Sequence, residues 1–126
     1  MLFDDKKRSR TAPKKPGEND YAFYDSTGRP EFQVYRNLLN SWMVDLPESE
    51  RVETVARFQE TDSLGYQAAL AEMTIHAALV QQGYTVEVHP SCEHPTRKPD
   101  FLAKDKDGKP VAYVEVTIFG PAPNHG

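Results

Sequence analysis

Residues 97–119, RKPDFLAKDKDGKPVAYVEVTIF, constrain the fold more than any other stretch of this chain. Two short β-prone runs flank Asp107-Gly108, a dipeptide that closes a two-residue hairpin because a type I′ turn needs positive φ at both central residues. With the turn there, Lys106 pairs with Lys109, Ala103 with Ala112 and Phe101 with Val114, and Asp100 falls opposite Glu115. Directly opposed residues have Cβ atoms roughly 4.5–5.5 Å apart, so two facing acids repel unless something neutralises them. A divalent cation is one such neutraliser. A longer loop through the Lys-Asp-Lys-Asp-Gly-Lys segment is the alternative, and it shifts the register so that the two acids become unrelated surface charges.

The chain around this hairpin has 126 residues, 38% hydrophobic and 27% charged, which bounds it to one domain with a modest core. Its single cysteine excludes an internal disulfide framework. No apolar run has the length of a membrane span, and Met1-Leu2-Phe3-Asp4-Asp5 lacks the charge order of a signal peptide, so a cytoplasmic protein is expected. The net charge of −4 conceals a basic arm over residues 1–16, with Lys6, Lys7, Arg8, Arg10, Lys14 and Lys15 against Asp4 and Asp5. Such an arm is either a solvated tail or a phosphate-binding segment; in the second case Lys6, Lys7, Arg8 and Arg10 contact nucleic acid.

Pro16 to Pro30 reads as a loop or irregular strand, so residues 1–30 form an arm and an irregular segment. A helical region spans 31–62. Pro30 suits the first helical position, and Phe32, Tyr35, Leu39, Trp42 and Leu46 recur at helical spacing up to Pro47. A second helix follows, with Val52, Val55, Ala56 and Phe58 inward and Glu48, Glu50, Arg51 and Glu53 outward. Trp42 and the tyrosines read as core.

The remaining residues, 63–126, hold the chemistry. Ser63 is the expected N-cap of a helix over about Leu64 to Gln82 that Gly83 terminates. Leu64, Ala68, Ala71, Ile75 and Leu79 make one stripe, and Glu72 falls within it. A carboxylate among alkyl groups needs a partner: a metal, a buried Arg or Lys, or solvent at the stripe's rim. Tyr84 to His89 alternates as a strand with Tyr84, Val86 and Val88 on one side. His89, Cys92, Glu93 and His94 are close in sequence, but the paired spacings of a structural zinc site are missing; a surface loop is the stronger reading for Cys92, Glu93 and His94, while His89 ends a strand near the proposed site. Pro99 opens a strand, and Val111 to Phe119 reads as a central strand on which Glu115 is hard to place as a solvated charge.

A helix with an inward Glu72, a strand, then a Pro99-Asp100 strand hairpinned to Glu115-Val116-Thr117 resembles the PD-(D/E)XK restriction-endonuclease-like superfamily over about Tyr66 to Phe119. The resemblance rests on GYQAALAEMTIHAALVQQGYTVEVHP, RKPDFLA and VAYVEVT. It implies an α/β fold in which N-terminal helices precede a helix–strand–hairpin core with a mixed sheet. It also implies a magnesium or manganese site with Asp100 and Glu115 as ligands and Glu72 as a further one, hydrolysing phosphodiester bonds of DNA. The motif's lysine is replaced by Thr117, which can orient water but carries no charge; Lys98, Lys104 or a lysine from a partner chain are the substitutes. The superfamily core continues past this strand, so a homodimer or a missing C-terminal segment is expected to complete the sheet. The alternative function is a non-catalytic protein of the same fold, or a nucleic-acid interaction module.

Overall fold

A computed structural model describes residues 1–60, 62–91 and 98–118 of the chain. Four helices, α1 (Asp20–Ser26), α2 (Pro30–Val44), α3 (Glu48–Phe58) and α4 (Ser63–Gln81), precede three strands, β1 (Thr85–Val88), β2 (Phe101–Lys104) and β3 (Pro110–Val114). The strands form one sheet in the order β1-β2-β3. Both pairings are antiparallel, so among the described residues the expected mixed sheet is a simple meander.

The helices start and stop for local reasons. Pro30 sits at the first position of α2, where its missing N–H costs nothing. Gly83, at φ +93°, lets the chain turn out of α4 after Gln82. The N-cap of α4 is Asp62 rather than Ser63, its carboxylate accepting from Leu64 N at 2.9 Å. Residues 20–26, read as loop from their Pro and Gly flanks, are helical because the Asn19 side chain accepts from Ala22 N and caps the turn.

The main core joins Leu2 and Phe3 to Leu39 and Met43 of α2, Leu46, Phe58 of α3, and Tyr66, Ala69 and Met73 of α4. Each large apolar side chain buried there contributes on the order of 1.5–3 kcal/mol. Tyr21, Tyr24, Tyr35 and Trp42 pack around that core, as their spacing suggests. Two expected faces are rotated. On α3, Val52 is largely exposed while Val55 and Phe58 turn inward. On α4 the buried line is Tyr66, Ala69, Met73, His76 and Ala77, whereas Leu64 and Ile75 of the expected stripe reach solvent. This helix is apolar nearly all round, so its neighbours choose its inner face.

The basic arm is folded onto the helices instead of trailing free. Leu2 and Phe3 anchor it, Asn40 of α2 brackets Phe3 by accepting from its N–H and donating to its C=O, and Gly28 N donates to Arg10 O at 2.7 Å. The Arg8 side chain is only 3% exposed, donating to Asp25 and to backbone carbonyls, and Arg10 forms a fork onto Glu18. Arg10, helped by Lys15 N–H, holds the Glu18 carboxyl down at about 2. Burial pushes Asp25 up, but the hydrogen bonds from Lys6 and Arg8 outweigh it and the net direction is down.

The hairpin keeps its expected inner register by a different turn. Gly108 N donates to Asp105 O and Asp105 N donates to Lys109 O, and Gly108 adopts φ +79°, giving a three-residue loop closed at Asp105 and Lys109. The Asp105 carboxylate reinforces it, accepting from Asp107 N and Lys109 N at 2.9 Å each. This longer loop pairs Lys104 with Pro110, and an irregularity between Ala103 and Lys104 then leaves Val111 as an extra residue. The bulge restores Ala103 to Ala112 and Phe101 to Val114, the pairs a two-residue turn would have made. Among the described residues the expected central strand over Val111 to Phe119 is an edge strand ending at Val114, with Val111 and Tyr113 exposed; Phe119 lies outside the described residues.

Candidate functional site

Helices α3 and α4 and the mouth of the sheet converge on one cavity of about 30 Å³. Leu46, Ala69, Met73, Val88 and Phe101 supply its apolar wall. Its polar wall comes from Glu50, Glu53 and Arg57 of α3, Glu72 of α4 and His89 just after β1. On α3 the three residues are separated by three and four positions, which aligns them on one helical face. That face was expected to point Glu50 and Glu53 to solvent; Glu53 does remain exposed, while Glu50 and Arg57 are half-buried.

Glu72 is the inward acid that the helix pattern anticipates, and its side chain is 17% exposed. Its buried Oε2 forms an ion pair with Arg57 Nη2. Asp100 is its acidic neighbour at the junction of helix and sheet. Burial raises Glu72 above the ordinary carboxylate range, Arg57 pulls it down, and Asp100 raises it again; the net direction is up. Two carboxyl groups held together in a half-buried place share a proton or take a cation.

Asp100 stands at the bend that enters β2. Its carbonyl accepts His89 N–H at 2.9 Å, continuing the pairing of β1 with β2 by one step. Its N–H donates to Val114 O, and its Oδ2 accepts Val116 N–H at 2.7 Å. The residue set beside Asp100 across this sheet is therefore His89, which lies in the left-handed region at φ +51°. The register expected to set Asp100 against Glu115 lies one step past the ladder, which ends at Phe101 and Val114, and Glu115 is exposed. Neither Glu115 nor Asp100 is among the residues lining the cavity. Thr117 is exposed as well.

The remaining candidates are distributed elsewhere. Lys98 is exposed, and Lys104 pairs with Glu87 of β1 at 3.2 Å on the face of the sheet away from Val86 and Val88. Lys6 is bound to Asp25, Arg8 and Arg10 are in the internal pairs described above, and Lys7 is exposed. Cys92, Glu93 and His94 lie outside the described residues.

Pattern reading missed Glu50, Glu53 and Arg57, and only the position of His89 at the end of a strand hinted at its role. One ligand atom each from Glu50, Glu53 and His89 lie within 4.8 Å of one another, and His89 Nε2 is 3.4 Å from Glu50 Oε2. One nitrogen and two carboxylate oxygens suit zinc or manganese; the Glu72 and Asp100 oxygens alone suit magnesium or manganese. No family model, curated protein or solved structure matches this chain.

Proposed function

We propose that the junction of α4 with the sheet is a divalent-metal site for hydrolysis of phosphodiester bonds in nucleic acid, on a restriction-endonuclease-like αβββ unit. The observation that carries this reading is the largely buried Glu72 of α4 with a second acid, Asp100, beside it. The meander β1-β2-β3 following α4 is compatible with that unit, and Pro99-Asp100 enters its middle strand.

The residues fit magnesium or manganese. Magnesium is commonly held by one or two carboxylates, with water and substrate phosphate completing its shell. Glu72 and Asp100 supply those two carboxylates, one from a helix and one anchored to the main chain of Val116. Glu115, exposed beyond the last strand, is not proposed as a ligand here. A bound metal supplies charge neutralisation at the phosphoryl oxygen and an acidified water. The protein's own groups do the rest. Main-chain bonds to His89 and Val114 hold Asp100 in place, and the apolar wall of Met73, Val88 and Phe101 limits water around the carboxylates.

The test is manganese calorimetry on the wild type beside Asp100→Ala, followed by cleavage of plasmid DNA with magnesium or manganese. Metal binding lost in the variant, together with metal-dependent cleavage by the wild type, supports the reading; no metal binding by the wild type sinks it. The exposed Glu115 and the uncharged Thr117 favour a second reading, a metal-binding relative without turnover. It predicts the same calorimetry and intact plasmid.

A further inference from the structure

Among the described residues lining the cavity, three are acids, Glu50, Glu53 and Glu72, and Arg57 is the one permanent cation. A phosphodiester approaching this wall meets excess negative charge, so the residues that offset it decide whether the anion can enter. Thr117 carries no charge, Lys98 does not line the cavity, and Lys104 is tied to Glu87. Arg57 is also placed to move. It reaches in from α3 to pair with Glu72 Oε2 through Nη2, and its side chain is 30% exposed against 17% for Glu72. A guanidinium with one carboxylate partner and solvent access can exchange that partner for another anion.

We propose that Arg57 is the phosphate-contacting residue of this site. Without metal its guanidinium neutralises Glu72. When a divalent cation takes the Glu72 and Asp100 oxygens, the same guanidinium is released at the cavity mouth and its planar fork is available to a phosphodiester oxygen pair. The assignment rests on the metal-site reading above and deepens it: it names the group that recognises the substrate's anion and makes metal and arginine competitors for one carboxylate. Competition is a coupling between two cations, and couplings of this kind change affinity by about 5–150-fold.

Two measurements on the full chain test it, using Arg57→Gln and Arg57→Lys. The first is manganese calorimetry; the second is binding of a short fluorescent DNA duplex with calcium present, with a gel confirming that the duplex stays intact. Arg57→Gln is expected to bind manganese about tenfold more tightly than wild type and the metal-loaded duplex about tenfold more weakly. Arg57→Lys is expected to recover part of the duplex affinity, because it restores the charge without the fork. An unchanged or weakened manganese affinity in Arg57→Gln, or an unchanged duplex affinity, overturns the assignment and leaves Arg57 as a support for Glu72. Unfolding midpoints of both variants guard against misfolding. The two levels of failure are separable: if Asp100→Ala abolishes manganese binding while Arg57→Gln changes nothing, only the arginine role falls, whereas wild type that binds no manganese removes both.

Discussion

Glu72 on α4 neighbours Asp100 at the entry to β2, which sets two acids where the longest described helix meets the middle strand. On the proposed metal-site reading, the pair costs stability when empty and gains it when a cation is present. Asp100→Asn keeps a side-chain oxygen for Val116 N–H, now at 2.7 Å, but removes the like charge. It is expected to raise metal-free stability by roughly 0.5 kcal/mol, in the range of opposed-charge pairs on a sheet. With saturating manganese the order reverses, the wild type becoming the more stable because ligand binding to the native state stabilises it. Urea unfolding with and without manganese reads both halves; a variant stabilised as much by the metal as wild type would show that Asp100 is no ligand.

How much of this was legible from the residues depends on whether a neighbour had to choose. The inner register of the hairpin, counted outward from an Asp107-Gly108 turn, matches the observed pairs of Phe101 with Val114 and Ala103 with Ala112. The turn itself was not legible: Asp105 outcompetes the Asp107-Gly108 reading by accepting two backbone N–H groups, and a bulge at Val111 then hides the difference. Glu72 and Asp100 were legible as an inward acid and a strand-entry acid. Glu50, Glu53 and Arg57 were not, because a charged helical face looks the same whether it meets water or another element's acids. The edge position of β3 was hidden for a related reason, since a β-branched run does not say what covers it.

The buried Arg36 makes a second prediction. It is 1% exposed, and Nη1 donates to Tyr24 O and Thr27 O at 2.8 Å each while Nη2 donates to Gln33 Oε1. These bonds tie α2 to the end of α1, and burial lowers the guanidinium's affinity for its proton. Arg36→Met is expected to cost about 3 kcal/mol because it strands two carbonyls. Arg36→Lys should recover little, since one ammonium does not reproduce the planar fork. Denaturant unfolding decides it: equal midpoints for Arg36→Lys and wild type contradict the bridging role.

The folded arm makes a third. A Cβ on Gly28 would lie 2.4 Å from Arg8 O, where the arm crosses the end of α1. Gly28→Ala therefore pushes the arm away and is expected to cost about 1–3 kcal/mol, the range for overpacking. Residues 1–16 should then be cleaved first under limited proteolysis. A variant whose arm resists protease as well as wild type would mean that Leu2 and Phe3 alone hold it. The Arg10 and Glu18 pair adds a pH signature: with the Glu18 carboxyl depressed from 4.5 to about 2, its contribution is complete above 4.5 and is lost as pH falls through about 2.

His76 gives the last prediction, through pH at a point away from the acids. It is 2% exposed, stacks edge-on against Phe101 at 5.5 Å, and its Nδ1 has no hydrogen-bond partner among the described residues. Burial lowers its pKa from 6.5, with Asp45 opposing weakly. The native state therefore holds His76 neutral while the unfolded chain takes up a proton near 6.5, so the unfolded state binds more protons in the window just below that value. Stability is unaffected by this residue above about 6.5 and falls as pH drops from there toward the folded pKa. His76→Leu removes the titration and an unsatisfied nitrogen while keeping an apolar body against Phe101; such replacements are close to neutral or stabilising. It is expected to match or exceed wild type at pH 8 and to lose less stability on going to pH 5. Parallel urea curves at the two pH values check this, and an equal acid loss in both proteins would assign the acid sensitivity to other groups.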